Sequence, residues 1–220
     1  VKRLMSRNPA RPTLLVLPAM SVGNSLEHIA FSGTLSIAAE TLTAAWVDIG
    51  RSVARAGLRK LVIFNSHGGQ SALVDLVALR LRSELGMLVV RANYFAFGAP
   101  PGLFADNELA LGLHGGELET SLMLHIRPEL VRSDALAAFS GLPERMAGEN
   151  KWLGVEKPVG IGWMSQDLHA EGVCGNAAAA DAERGARLLD HLATSLGELL
   201  QEVATTPLSL MRQSDRGFRA

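Results

Sequence analysis

Two stretches of this chain place a histidine ahead of paired glycines in settings where it could do chemistry. FNSHGGQ (64–70) puts His67 between an apolar run and a helical pattern, and LHGGELETSLML (113–124) puts His114 just ahead of Glu117 and Glu119. Neutral imidazole and carboxylate are the donors of hydrolytic metal centres, and imidazole is also the commonest general acid or base. Each stretch also has a plainer reading. The first could be a polar turn with an incidental histidine. In the second, acidic residues in a first helical turn are favoured by the helix dipole alone. A third stretch, SLEHIAFSGTLS (25–36), sets Glu27 beside His28 in a loop, where such a pair is either a surface feature or part of a site. A fourth, GIGWMSQDLHAEGVCGN (160–176), holds Trp163, Asp167, His169 and Glu171 and reads as a loop, or as a cap whose Trp163 walls a pocket. His125 and His191 fall inside helical patterns and read as structural. Cys174 has no activating partner in the sequence.

Elements that could position these residues alternate along the chain. TLLVLPAM (13–20) predicts a strand running into a loop. Residues 39–57 predict a helix with Leu42, Trp46, Ile49 and Val53 on one face and Gly57 as its stop. LRKLVIFN is a short apolar strand of the kind buried in a parallel sheet. Ser71 to Leu85 predicts a helix with Leu73, Val77, Leu81 and Leu85 on its apolar stripe, ended by Gly86, and MLVVRANYF predicts the next strand. GELETSLMLHI is helical and must stop before Pro128. Residues 133–180 have no clear period, and 181–204 predict a long amphipathic helix. The β-α-β-α-β rhythm predicts an α/β fold: one α/β/α layered domain over 1–204 with a central, mostly parallel sheet, and a loose tail over 205–220. In such sheets ligands sit where strands run into the following helices, which is where His67 falls. Gly68 and Gly69 would let that turn be sharp and leave room beside the imidazole.

Composition narrows the function classes. The chain has 220 residues, 48% hydrophobic, with 21 Lys/Arg against 22 Asp/Glu and a net charge of −1. Scattered basic residues at near-neutral balance do not make a nucleic-acid footprint. No apolar run reaches the roughly 18 residues of a membrane span. A single cysteine allows no internal disulfide and fits a cytoplasmic setting. The P-loop, dinucleotide-fold and nucleophile-elbow signatures are all absent.

Taken in order, VLPAMSVGNSLEHIAFSGTLSI, DIGRSVARAGLRKLVIFNSHGGQ and LHGGELETSLMLHIRPELV resemble the creatininase (creatinine amidohydrolase) family, over most of residues 13–131. GWMSQDLHAEGVCGNAAAADAERG resembles the family's C-terminal part. The resemblance implies a two-metal site that hydrolyses C–N amide-type bonds, with Zn, Mn or Fe as the metals, and a homo-oligomer, often a hexamer, acting on a small-molecule substrate. It makes His67 and Glu119 metal ligands and His114 the acid/base, with Glu117 a lesser candidate for ligand or catalytic group. Glu27, His28, Gly68, Gly69 and Trp163 would line the substrate side, Glu27 and His28 touching either substrate or a neighbouring subunit. A pair of divalent metals would acidify a water and polarise the amide oxygen.

Three departures accompany the resemblance. The family's N-terminal G-x-x-E-Q-H…D ligand segment has no counterpart here, and the chain begins at Val1, with VKRLM reading as the end of a helix. The expectation is therefore a chain carrying part of the site, its N-terminal ligands lying in a missing segment. Creatinine-hydrolysing members carry Tyr-Glu where Gly68-Gly69 stand and a Trp near the position of Ala110, so creatinine itself is not the expected substrate. The Gly-Gly form with Glu27-His28 looks more like branches that deformylate formamidopyrimidine intermediates or trim the mycofactocin precursor. Two alternatives stand beside the metal-dependent amidohydrolase. One is a metal-free oligomeric binding protein on the same fold, and the other is a nucleotide-binding enzyme using FNSHGGQ as a phosphate turn.

Overall fold

The computed structural model describes residues 13–212, so VKRLM and the end of the expected tail lie outside the described residues. The chain divides into two compact units. Unit 1 takes the residues up to Ser25, Leu35–Phe97 and the residues from Thr194. Unit 2 takes Leu26–Thr34 and Gly98–Ala193.

Unit 1 holds α1 (Ala39–Arg55), β1 (Lys60–Asn65), α2 (Ser71–Leu85) and β2 (Leu88–Asn93). The strands pair in parallel, Lys60 with Leu88 through Asn65 with Asn93, so α2 is the crossover of a β-α-β unit. Gly86 ends α2 in the left-handed region at φ 66° and donates its N–H to the Arg82 carbonyl. Val47, Ala54, Val77, Leu81 and Met87 form the core here. Full burial of each large aliphatic side chain contributes about 1.5–3 kcal/mol. The buried stripes overlap the predicted ones and extend to smaller neighbours. On α1 they are Leu42, Val47, Gly50 and Ala54, while Ile49 is exposed. On α2 they are Val74, Val77, Ala78 and Leu81. Leu42, Val77 and Leu81 of the predicted stripes are among them, and Trp46, Val53 and Leu85 pack on the same core at partial burial, while Gly50 leaves room for Leu81.

The predicted strand TLLVLPAM is irregular, and Leu15, Val16 and Leu17 are exposed. Strand propensity expresses itself only against a neighbouring strand. Among the described residues, β1 has β2 as its only strand partner, and Pro18 could not complete a ladder.

Unit 2 contains α3 (Asp106–Leu111), α4 (Glu117–Ile126), β3 (Ala138–Phe139), α5 (Leu142–Glu149), α6 (Ser165–Leu168) and β4 (Gly175–Asn176). Helix α7 (Ala182–Thr205) starts in unit 2 and ends in unit 1. The aperiodic region 133–180 thus holds short elements, organised by the antiparallel β3–β4 pair and by a core of Met146, Val155, Leu168 and Cys174. As Pro128 requires, α4 ends at Ile126. Helix α7 opens on Asp181, whose carboxylate accepts the N–H groups of Glu183 and Arg184 and is thereby held below the usual carboxylate range. A side chain at Gly185 would strike the Ser121 carbonyl, so α7 lies directly on α4 there. At the other end of α7, within unit 1, Lys60 donates to the Val203 and Ala204 carbonyls at 2.8 and 2.7 Å. A cation is favoured at that helix end. No helix among the described residues is long and apolar enough to cross a membrane.

The α/β reading therefore holds, with helices and a parallel strand pair joined by a helical crossover.

Candidate active site

His67 sits just past the carboxyl end of β1, and a buried amide holds the turn. Asn65 is 3% exposed. Its Nδ2 donates to the His67 carbonyl at 2.7 Å and to Asn93 Oδ1 at 2.8 Å. Its Oδ1 accepts from the His67 N–H at 3.2 Å and from Gln70 Nε2 at 2.9 Å. Gln70 in turn accepts from the Asn24 N–H at 3.1 Å, and a side chain at Gly23 would collide with it. The Asn65–Asn93 pairing follows from strand register, since the two residues are partners at the ends of β1 and β2. Neither Gly68 nor Gly69 lies in the left-handed region, and Gly68–Gln70 form an ordinary 3-10 turn. The expected conformational need for these glycines is thus not what the turn uses. What Gly68 provides is space: a side chain there would meet nothing within 4 Å.

In unit 2 the structure brings Glu27, His28, His114 and Glu119 together. His114 Nδ1 lies 3.5 Å from Glu119 Oε2, both side chains more than a third exposed. The same oxygen accepts the Gly115 N–H at 2.7 Å, and the Thr120 hydroxyl donates to the Gly115 carbonyl at 3.0 Å. Gly115 needs to be glycine: its φ is 66°, and a side chain would press on Val173. The His28 and His114 rings are 4.3 Å apart, and His28 Nε2 lies 3.5 Å from Glu27 Oε1. Beyond them Ser165, fully buried, places its hydroxyl against His28 Nδ1 and 3.0 Å from the Glu27 carbonyl. A hydroxyl has one proton to give, so a Ser165 that donates to this carbonyl must accept from an Nδ1–H of His28. An open groove of about 280 Å³ runs from His114 and Glu119 past Met123, Leu130, Val131 and Leu136, polar at its start and apolar beyond.

Two expected site residues stand elsewhere in unit 2. Glu117 is buried in an ion pair with Arg184, whose guanidinium also donates to the Ala179 carbonyl. Residues two apart on a helix do not face the same way, so the first turn of α4 can offer Glu119 to the groove while burying Glu117. Trp163 is half-buried against the Met146–Leu168 core, and its indole N–H donates to Glu156 at 2.8 Å. Residues not singled out in the sequence include Ser165 and Glu108. Only a capping pattern ahead of α6, with Asp167 accepting the Met164 N–H, marks the Ser165 region in the sequence.

An imidazole backed by a carboxylate and open to a groove can give or take a proton at its far nitrogen. The same donor types suit Zn, Mn or Fe. Among the described residues, no group of three or more His, Cys, Asp or Glu side chains is arranged to hold a metal ion. Donor chemistry fits a divalent metal, while donor number falls short of a complete centre.

An α/β unit with its histidine at a strand's carboxyl end, and a His–Glu pair at a glycine-turned helix start, match one family in particular. The sequence profile of the family Creatininase (creatinine amidohydrolase) covers residues 1–200, and the chain belongs to this family. It is 35% identical over 133 residues to a mycofactocin precursor peptide peptidase of Mycobacterium ulcerans (strain Agy99), covering 60% of this chain and 48% of that protein. It is also 35% identical over 136 residues to a creatinine amidohydrolase of Pseudomonas putida, covering 54% and 52%. The chain thus spans about half the length of the curated relatives it matches. Among solved structures, a putative creatinine amidohydrolase from Bacteroides fragilis NCTC 9343 superposes with TM-score 0.73 at 27% identity, over 94% of this chain and 78% of that one. A creatininase in its Mn form and a mutant creatininase of Zn-Zn type each superpose with TM-score 0.60 at 26% identity, over 80% of this chain and 68% of theirs.

Proposed function

We propose that the protein is a metal-dependent amidohydrolase that cleaves a C–N bond in a small cyclic amide, a formamide or a short peptide. The observation that carries this reading is the His114–Glu119 pair at the head of an open groove, in a chain of the creatininase family. Relatives named as a peptide peptidase and as an amidohydrolase both support amide-bond hydrolysis. Neighbours in manganese and zinc-zinc forms support two divalent metals per subunit, with His67 and Glu119 as this chain's contribution to holding them. When bound, such metals supply Lewis acidity. The chain's own residues do the rest. His114 carries the proton that the leaving nitrogen requires, and Glu119 fixes the ring through Nδ1. His28, held between Glu27 and Ser165, flanks His114 on the substrate side. A homo-oligomer, with a hexamer the state expected, completes the proposal.

The test is a hydrolysis screen of the natural full-length protein, reconstituted with Zn, Mn or Fe, against creatinine, cyclic ureides, formamides and short peptides. The expected result is metal-dependent turnover of at least one class, lost in His114→Asn. A folded, metal-loaded protein that turns over none of them overturns the reading. The lack of a three-donor group among the described residues favours, as a second reading, a metal-free binding protein on this fold. Metal analysis separates the two, since only the second predicts substoichiometric metal after reconstitution.

A further inference from the structure

We propose that Glu108 is the positioning residue of the active site, setting the His114–Glu119 geometry from behind; this rests on the amidohydrolase reading above. Glu108 is 7% exposed. Among the described residues no Arg or Lys pairs with its carboxylate, and two backbone N–H groups serve it instead. Oε1 accepts from Glu117 at 2.6 Å, at the first turn of α4, and Oε2 accepts from Asn176 at 2.9 Å, in β4. One side chain thereby ties together the two segments that hold His114. On one side is the helix start that carries Glu119. On the other is the segment leading into β4, whose Cys174 N–H donates to the His114 carbonyl at 2.7 Å, in an isolated antiparallel bridge.

The surroundings are shaped to this carboxylate. Side chains at Gly112 or Gly116 would collide with Glu108 Oε1, and one at Gly175 would come within 2.7 Å of it. Three glycines from the loop before His114, the turn after it and the facing strand thus leave the space that the carboxylate fills. A negative charge at the N-terminus of α4 is also favoured by the helix dipole. The arrangement has a directional requirement. A carboxylate presents acceptors to both N–H groups, whereas a carboxamide of the same shape must turn its NH2 toward one of them. Glu108→Gln therefore keeps the volume, releases one of the two segments, and lets the His114–Glu119 spacing drift. Residues that orient catalytic groups from behind cost about 10–100-fold in activity when changed, and a misplacement on the order of 1 Å is enough to do so.

The experiment compares wild type, Glu108→Gln, Glu119→Gln and the double variant in metal-reconstituted protein. Steady-state hydrolysis is measured on whichever substrate class the wild type turns over, alongside residue-resolved amide hydrogen exchange. The expected result for Glu108→Gln is a kcat lowered about 10–100-fold with KM within about twofold. Its loss should not add to that of Glu119→Gln. Protection should fall at the Gly115 and Cys174 amides and stay unchanged in α2. An unchanged kcat, additive losses, or protection lost evenly across the chain would each overturn the proposal. Amide exchange at Gly115 and Cys174 does not need turnover. A wild type without activity would sink the amidohydrolase reading while still reporting whether Glu108 holds the turn.

Discussion

The rings of His28 and His114 lie 4.3 Å apart with their planes inclined by 40°, and each has a glutamate at its outer edge: Glu27 beside His28 and Glu119 beside His114. The segments that supply them are far apart in sequence, so the fold rather than local chain geometry creates this pairing. It sets two imidazoles with unequal access to solvent side by side, and of the two His114 lines the groove. His28 is 15% exposed at its side chain and backed by the buried Ser165, while His114 is 38% exposed. Such an arrangement suits one ring that exchanges protons and one that is held still.

His114→Asn is expected to lower kcat by about 10²–10⁴-fold, the usual contribution of a general acid. Because the ring is more than a third exposed, the thermal midpoint should barely move. Steady-state kinetics and a melting curve on the same preparation check both halves. A large loss of stability would instead assign His114 a structural role.

His67→Ala is expected to abolish metal binding and hydrolysis together while leaving the parallel strand pair folded, since Asn65 holds the turn through the His67 backbone carbonyl and N–H. Metal content by elemental analysis, with circular dichroism as the control, is the measurement. Retained stoichiometric metal with lost activity would move His67 from ligand to another role.

Arg184→Met leaves Glu117 buried without its cation and is expected to cost about 3–5 kcal/mol. Changing both residues, Arg184→Met with Glu117→Leu, should recover most of that loss, because the uncompensated charge disappears with its partner. Urea denaturation of the two variants distinguishes this from a cost due to the guanidinium resting over Phe104.

Burial pushes the Cys174 thiol up from its ordinary value. The sign follows directly. A folded-state pKa above the unfolded one favours the protonated thiol in the fold, so its contribution is complete below about pH 8.5 and is lost as pH rises past it. Urea midpoints measured from neutral to alkaline pH should therefore fall more steeply in wild type than in Cys174→Ala. The native thiol, with no exposed surface, should react with a thiol reagent only after unfolding.

How much of this was legible beforehand depends on how local each feature is. Helix α2 and its glycine stop, and the end of α4 before Pro128, follow from periodicity and backbone chemistry and stand where the sequence puts them. His67 at a strand's carboxyl end and Glu119 at a helix start are of the same kind. TLLVLPAM failed because a strand needs a neighbour, which no property of the segment itself supplies. Glu117 stayed a lesser site candidate rather than a buried ion-pair partner because the sequence does not show Arg184, sixty-odd residues on, meeting it. Ser165 and Glu108 were invisible as site residues for the same reason: each acts through a hydrogen bond that exists only after folding.

Asn65 carries one more consequence, which concerns ageing rather than catalysis. Its side chain is both donor and acceptor, giving to the His67 carbonyl and Asn93 while receiving from the His67 N–H and Gln70. Loss of ammonia, the commonest spontaneous damage to an asparagine, would replace that donor by an oxygen and set it against two oxygens already in place. The molecule would keep its size, its core and nearly its mass. It would nonetheless lose the one amide that holds the histidine turn, so old protein could fail in function well before it fails in fold.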